Sequence, residues 1–237
     1  MENTSNTPFW KAKSAFICYL FVAVGLIVGS IILVIILLGT GLGVENLPFP
    51  SALLSLPINE VIILSITLLL ARQHKAGLKQ LGFKKPNIKT IIILSIAAVL
   101  LLWLGGAIAL VQETIVGPDP STDIVLDATL PQNALQLIAL LLISFLLVGP
   151  AEEAAFRGFI QRGLENSYGP KVGLVVASVM FGLLHGLNSL MSIIPVTVVS
   201  LFLGYMWQRT DRNTTALAWM HGLYDAIAIA ITYFAYS

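Results

Sequence analysis

The chain has 237 residues, 57% of them hydrophobic and only 11% charged, and its mean hydropathy is +0.90. Soluble domains carry about 25% charged residues, and a water-soluble fold of this length could not hide so much apolar surface, so the composition is that of a polytopic membrane protein. A net charge of +1 excludes a global basic field that would attract nucleic acid or acidic substrates.

Apolar runs of spanning or near-spanning length fall at about 14–39, 52–71, 90–111, 133–149, 172–187, 191–208 and 214–234. They predict an all-α polytopic helical bundle of about seven transmembrane helices. With no internal repeat or linker, residues 1–237 read as a single membrane domain. The first run continues after Lys13 to Leu38, too long for the apolar region of a signal peptide and without a clear cleavage site, so it reads as a helix that stays. It contains Cys18, the one cysteine of the chain, which excludes an intrachain disulfide. Pro48, Pro50 and Pro57 make the start of the second run irregular. Asn59 and Glu60 lie inside that run, where a charge is costly; for Glu60, helix pairing or a shifted span outweighs a cavity-lining role. His74 reads as solvated surface. The loop 77–85 mixes apolar and basic residues and is expected on the cytoplasmic membrane surface, as topogenic charge or against anionic headgroups. The fourth run ends at Gly149 and Pro150, followed at once by Glu152, Glu153 and Arg157. Only a tight turn with Gly186, Asn188 and Ser189 separates the fifth and sixth runs, and Pro195 is placed to kink the sixth. His221 and Asp225 lie in the seventh. Trp103, Trp207 and Trp219 fit packing or interfacial anchoring.

Basic residues orient this arrangement. With the N-terminus cytoplasmic, alternating spans place Lys11 and Lys13, then Arg72 to Lys89, then Arg157, Arg162 and Lys171, then Arg209 and Arg212 on one side. That accounts for all 13 Lys and Arg residues, as the positive-inside rule requires. The opposite loops hold Glu45, Glu113, Asp119, Asp123 and Asp127 and no basic residue. This gives an N-in, C-out protein.

Depth then follows from a rise of about 1.5 Å per helical residue. Glu152 lies roughly 15 Å from Arg162, His221 roughly 14 Å from Arg212, and His185 roughly 21 Å from Lys171. Three segments thus bring polar side chains to a similar depth, with the site expected to open toward the cytoplasmic side. Ionisable residues inside membrane spans mark functional sites by default. Glu153 and Arg157 are one turn apart in the favourable order, so Arg157 can pin one carboxylate. Glu152 points about 100° away and is free to act as a general base. His221 and Asp225 share a face; with His185 they could bind a metal or water, or polarise a carbonyl. Gly182 and Gly186 flank His185 with small residues that let another helix approach.

The motifs Glu152-Glu153-x-x-x-Arg157, Phe181-x-x-x-His185 and His221-x-x-x-Asp225, with Ser178 before Phe181 and residues 203–207 and 216–219 ahead of His221, resemble the signature of the CAAX protease and bacteriocin-processing (CPBP, or Abi) intramembrane protease family. The resemblance covers residues 130–225, within a motif core at about 130–237. It implies an intramembrane endopeptidase that hydrolyses a peptide bond of a membrane-associated peptide or protein with a glutamate-activated water. Glu152 would be the base, with His185 helping to hold the water. His221 and Asp225 would stabilise the oxyanion or position substrate, and Glu153 with Arg157 would be mainly structural. Many members carry Asn where this chain has Asp225, and an ionised Asp cannot donate to an oxyanion. Members are commonly labelled metalloproteases, so Zn or another divalent metal on Glu152, His185 and His221 stands beside a metal-free mechanism. The eukaryotic branch trims three residues after a prenylated cysteine; bacterial-type relatives act in bacteriocin immunity or peptide maturation. The expected setting is a prokaryotic plasma membrane, with the bilayer and a membrane-associated substrate as partners and no nucleic acid. A non-catalytic scaffold or immunity protein of the same fold is the competing reading, and a transporter a third.

Overall fold

Long apolar runs with few breakers have one common way to satisfy their backbone polar groups away from water, the α-helix. The computed structural model of the chain describes residues 10–41, 47 and 49–236; Glu45 and Pro48 lie outside the described residues. Among the described residues 82% are helical and none is in a strand. In chain order the helices are α1 (Ala12–Gly39), α2 (Ala52–Gln73), α3 (Ile88–Val116), a short α4 (Thr122–Thr129), α5 (Ala134–Tyr168), α6 (Pro170–His185), α7 (Ile193–Arg209) and α8 (Thr214–Tyr236). Six helical segments are long and apolar enough to cross a membrane, and α6, with 16 residues, is a shorter apolar one. Together they correspond to the seven runs. The sequence reading did not anticipate α4, whose Asp123 sits favourably in its first turn.

α5 departs most from expectation. The fourth run was expected to end near residue 149, yet the helix passes through Pro150 and continues for 35 residues to Tyr168. Proline has no N–H to return to the preceding turn. The helix accommodates it by widening into π turns over Ser144–Val148, immediately before it, and again over Ala154–Gln161. Glu152 and Glu153 therefore lie mid-helix, between two widened turns, rather than at the end of a span.

Small residues set how closely α5 and α8 approach. A Cβ added to Gly149 would meet the Ala218 carbonyl, and one at Gly222 would come within 3.0 Å of the Phe145 Cα. On the other side of the site, a Cβ at Gly182 would fall against Thr197 and 2.7 Å from the Ile193 carbonyl, so α6 and α7 also pack backbone to backbone.

The end of the bundle that carries the basic residues is held by buried aromatic and loop contacts. Trp10 is buried, stacks on Phe159 at 4.8 Å and donates its indole N–H to the Phe159 carbonyl (2.8 Å). His74, expected at the solvated surface, is half-buried beside this pair and hydrogen-bonds Ser14 (3.0 Å). The loop 77–85 does not simply lie on the membrane: Leu81 is fully buried, its carbonyl accepts from Thr214 Oγ1 (2.6 Å), and Gly82 adopts φ +94° against Arg212 and Thr214. The close contact of Gly158 with Leu81 explains why this leucine inserts into the bundle. Nearby, Glu165 bonds Arg212 (2.9 Å), Gln161 (2.9 Å) and Gln208 (2.6 Å), tying α5 to the α7–α8 turn.

Candidate active site

The site begins with the ion pair read from spacing. Arg157 Nε lies 3.2 Å from Glu153 Oε2, and both side chains are almost completely buried. The Arg157 guanidinium also sits over the Phe181 ring, 5.0 Å from its centroid, a cation–π contact that helps hold a charge in apolar surroundings. Glu153 then does something the spacing did not reveal. Its second oxygen accepts from His221 Nδ1 at 2.9 Å, across 68 residues of sequence. Arg157, Glu153 and His221 thus form a chain from α5 to α8.

With Nδ1 donating to Glu153, the other ring nitrogen of His221 is turned into the site. Nε2 lies 3.6 Å from Glu152 Oε2 and 3.6 Å from Asp225 Oδ2, both longer than a direct hydrogen bond. Phe181 packs edge-on to His221 (6.1 Å) and against His185 (4.5 Å). His185 Nδ1 is 3.0 Å from the Phe181 carbonyl; a carbonyl only accepts, so Nδ1 carries the proton and Nε2 is left for the cavity. Glu152 Oε2 has no hydrogen-bond partner. The structure therefore gathers Glu152, Glu153, Arg157, His185, His221 and Asp225 from α5, α6 and α8 around one point inside the bundle.

Residues 134–227 match the family model described as Type II CAAX prenyl endopeptidase Rce1-like. This stretch of the chain is similar to that CAAX endopeptidase family. No curated protein and no solved structure matches significantly. The Rce1-like stretch runs from the first turn of α5 to just past Asp225 and so contains all six side chains. The family it resembles is one of proteases, and the helices place the chain among integral membrane proteins.

Two cavities meet at the Rce1-like site. One, of about 390 Å3, lies between α1, α2 and the end of α6 and is lined by Glu60, Glu152 and His185. The other, of about 510 Å3, lies between α3, α7 and α8 and is lined by Phe181, His185, His221, Tyr224 and Asp225. Ala109, Pro195, Val196 and Thr232 also line a third cavity, of about 480 Å3, beside α4. The cavities take their walls from the halves of the helices remote from the basic loops: residues 26–31 of α1, 56–63 of α2 and 195–199 of α7. The cavities that carry Glu152, His185 and His221 thus lie in those halves, while buried Trp10, Leu81 and Trp207 pack the basic end; a separate cavity of about 490 Å3, lined by Lys84, Lys85 and Arg209, lies at that basic end.

Glu60 is the site residue that sequence reasoning undervalued. It was weighed chiefly as a helix-pairing group, yet it is only 3% exposed and shares a cavity wall with Glu152. The available signal was a carboxylate in mid-span with no Lys or Arg one turn away. A metal was left open on Glu152, His185 and His221. Among the described residues no group of three or more His, Cys, Asp or Glu side chains is drawn together around one point as a ready ligand set. Both histidines commit Nδ1 to a carboxylate or carbonyl and leave Nε2 free, an arrangement that serves a metal ligand and a metal-free water site alike.

Proposed function

We propose that the protein is an intramembrane endopeptidase in which Glu152 activates water to hydrolyse a peptide bond of a membrane-associated peptide or protein. One observation carries this reading: the Arg157–Glu153–His221 chain presents His221 Nε2 to a Glu152 carboxylate whose own oxygen has no partner. The reaction is balanced with these groups. Glu152 takes a proton from water while the water oxygen bonds to the scissile carbonyl carbon. His185 Nε2 accepts a hydrogen bond from the same water. His221, whose Nδ1–H goes to Glu153 and which is in its doubly protonated imidazolium form, donates from Nε2 to the oxyanion that forms. Glu152 then returns the proton to the leaving nitrogen, the C–N bond breaks, and a carboxylic acid and an amine are released. Asp225 faces the same nitrogen of His221 as Glu152 and helps aim it, so it acts without having to donate to the oxyanion.

With the basic loops cytoplasmic, the substrate reaches Glu152 from the outer half of the bilayer, through the cavities between the helices. The decisive experiment compares membrane-peptide profiles of cells carrying the wild type and Glu152→Gln at equal membrane expression. The peptidase reading expects cleavage products that disappear in the variant. Unchanged profiles with full biological activity would instead identify a scaffold that keeps the fold. Chelator treatment of the purified protein, followed by elemental analysis, is expected to leave cleavage intact; loss restored by Zn would bring a metal into the site.

A further inference from the structure

The cavity beside Glu152 holds a carboxylate that nothing among its walls balances. Glu60 enters it from the first half of α2, is 3% exposed, and its Oε2 has no hydrogen-bond partner. Its polar companions there are Ser30, Asn59, Glu152, His185 and Asn188, and no Lys or Arg lines the cavity. Arg157, the arginine of the site, is already committed to Glu153. His221 faces Glu152 from the neighbouring helix and Asp225 one turn along its own. A buried carboxylate without a counter-charge is expensive, and in a membrane span it marks a place where something from outside completes it. A cleft of one sign with low-dielectric walls also focuses its field on an incoming opposite charge.

We infer that Glu60 is a specificity residue that receives a positively charged nitrogen of the substrate, either a lysine or arginine side chain or a free α-ammonium group, next to the peptide bond presented to Glu152. The inference rests on the peptidase reading of that site. It also gives the substrate a polarity. His185 lines the cavity with Glu60 and equally the cavity walled by Leu102, Val199 and Phe181. A chain laid across Glu152 therefore has its cationic group in the Glu60 cavity on one side of the scissile bond and continues on the other into the cavity of Leu102, Val199 and Phe181, whose polar groups His221, Tyr224 and Asp225 lie at the reacting centre.

The test uses the full-length protein in detergent micelles and fluorogenic decapeptides with one apolar half. A single lysine is moved through each position of the other half and replaced in turn by norleucine, each peptide being made with a free and an acetylated N-terminus. The wild type is expected to favour the best lysine peptide over its norleucine partner by about tenfold or more in kcat/KM. Glu60→Gln collapses that ratio to about one, and Glu60→Asp keeps part of it. If the α-ammonium is the cation, acetylation rather than norleucine removes the preference. A wild type indifferent to both changes overturns the inference, as does a Glu60→Gln variant that slows all peptides while keeping the ratio. Binding of the same peptides to Glu152→Gln, with and without Glu60→Gln, separates the two readings by fluorescence anisotropy. Charge-selective binding without cleavage by the wild type sinks the peptidase and leaves Glu60 standing. Cleavage without charge selectivity does the reverse.

Discussion

Glu153 gives one carboxylate oxygen to Arg157 and the other to His221, so the pair that looks structural in the sequence also aims the histidine. Removing one partner of a buried ion pair leaves the other charge unpaired and costs about 3–5 kcal/mol. Arg157→Met is accordingly expected to lower the thermal unfolding midpoint in detergent sharply, and with it any activity. Asp225→Asn is a milder change, because asparagine keeps an acceptor for His221 and gains a donor. It is expected to retain cleavage within about tenfold, whereas Asp225→Ala loses more; peptide cleavage assays at equal protein decide this. The Glu153–Arg157 contact was legible from its one-turn spacing. The Glu153–His221 bond was not, since nothing local links residues 68 positions apart.

At the scale of elements, Gly149 and Gly222 bring the backbones of α5 and α8 together and so set the distance between the glutamates and His221. Gly222→Val should force the helices apart, at about 1–3 kcal/mol of stability. It should lower cleavage more than that cost predicts, because the 2.9 Å Glu153–His221 bond opens; unfolding and activity measured on one preparation check the pair of effects. A second device joins the loops at the opposite end from the basic residues. Asp119 accepts from the Ser121 N–H and hydroxyl (2.9 and 2.6 Å) and from the Ser189 hydroxyl. The Ser121 and Ser189 hydroxyls hold its carboxyl below the usual carboxylate range. A folded-state pKa lowered in this way stabilises above the unfolded value and is lost as pH falls through the folded one. Hydrogen exchange at α4 is expected to quicken near about pH 3 relative to neutral pH, once corrected for intrinsic rates, and Asp119→Asn should abolish the difference. The π turns around Pro150 were the least legible feature, because proline reads in sequence as a helix stop and only packing on both faces keeps the helix going.

For the whole molecule, the basic loops lie at one end and the cavities that reach Glu152, His185 and His221 toward the other. Cys18 is the chain's one cysteine and is buried, which makes single added cysteines clean reporters. In intact cells a membrane-impermeant maleimide is expected to label Thr122→Cys, at the start of α4, and to spare Lys84→Cys; the opposite pattern would invert the topology. The number of apolar segments was readable because a helix must carry its own hydrophobic length across a bilayer. Their lengths were less so, as α6 with 16 residues and α5 with 35 show, because a segment packed inside a bundle answers to its neighbours rather than to lipid.

Composition and charge by themselves determined an all-helical membrane protein, and motif spacing picked out Glu152, Glu153, Arg157, His185, His221 and Asp225 together with the family. These are properties of local chemistry and of one-turn periodicity. Only the tertiary structure decided which carboxylate holds His221, that Glu60 stands in the wall beside Glu152, and toward which end of the bundle the cavities of the site lie. Each of those depends on helices that approach through glycine contacts far apart in sequence, where side-chain direction and depth are fixed by packing rather than by spacing.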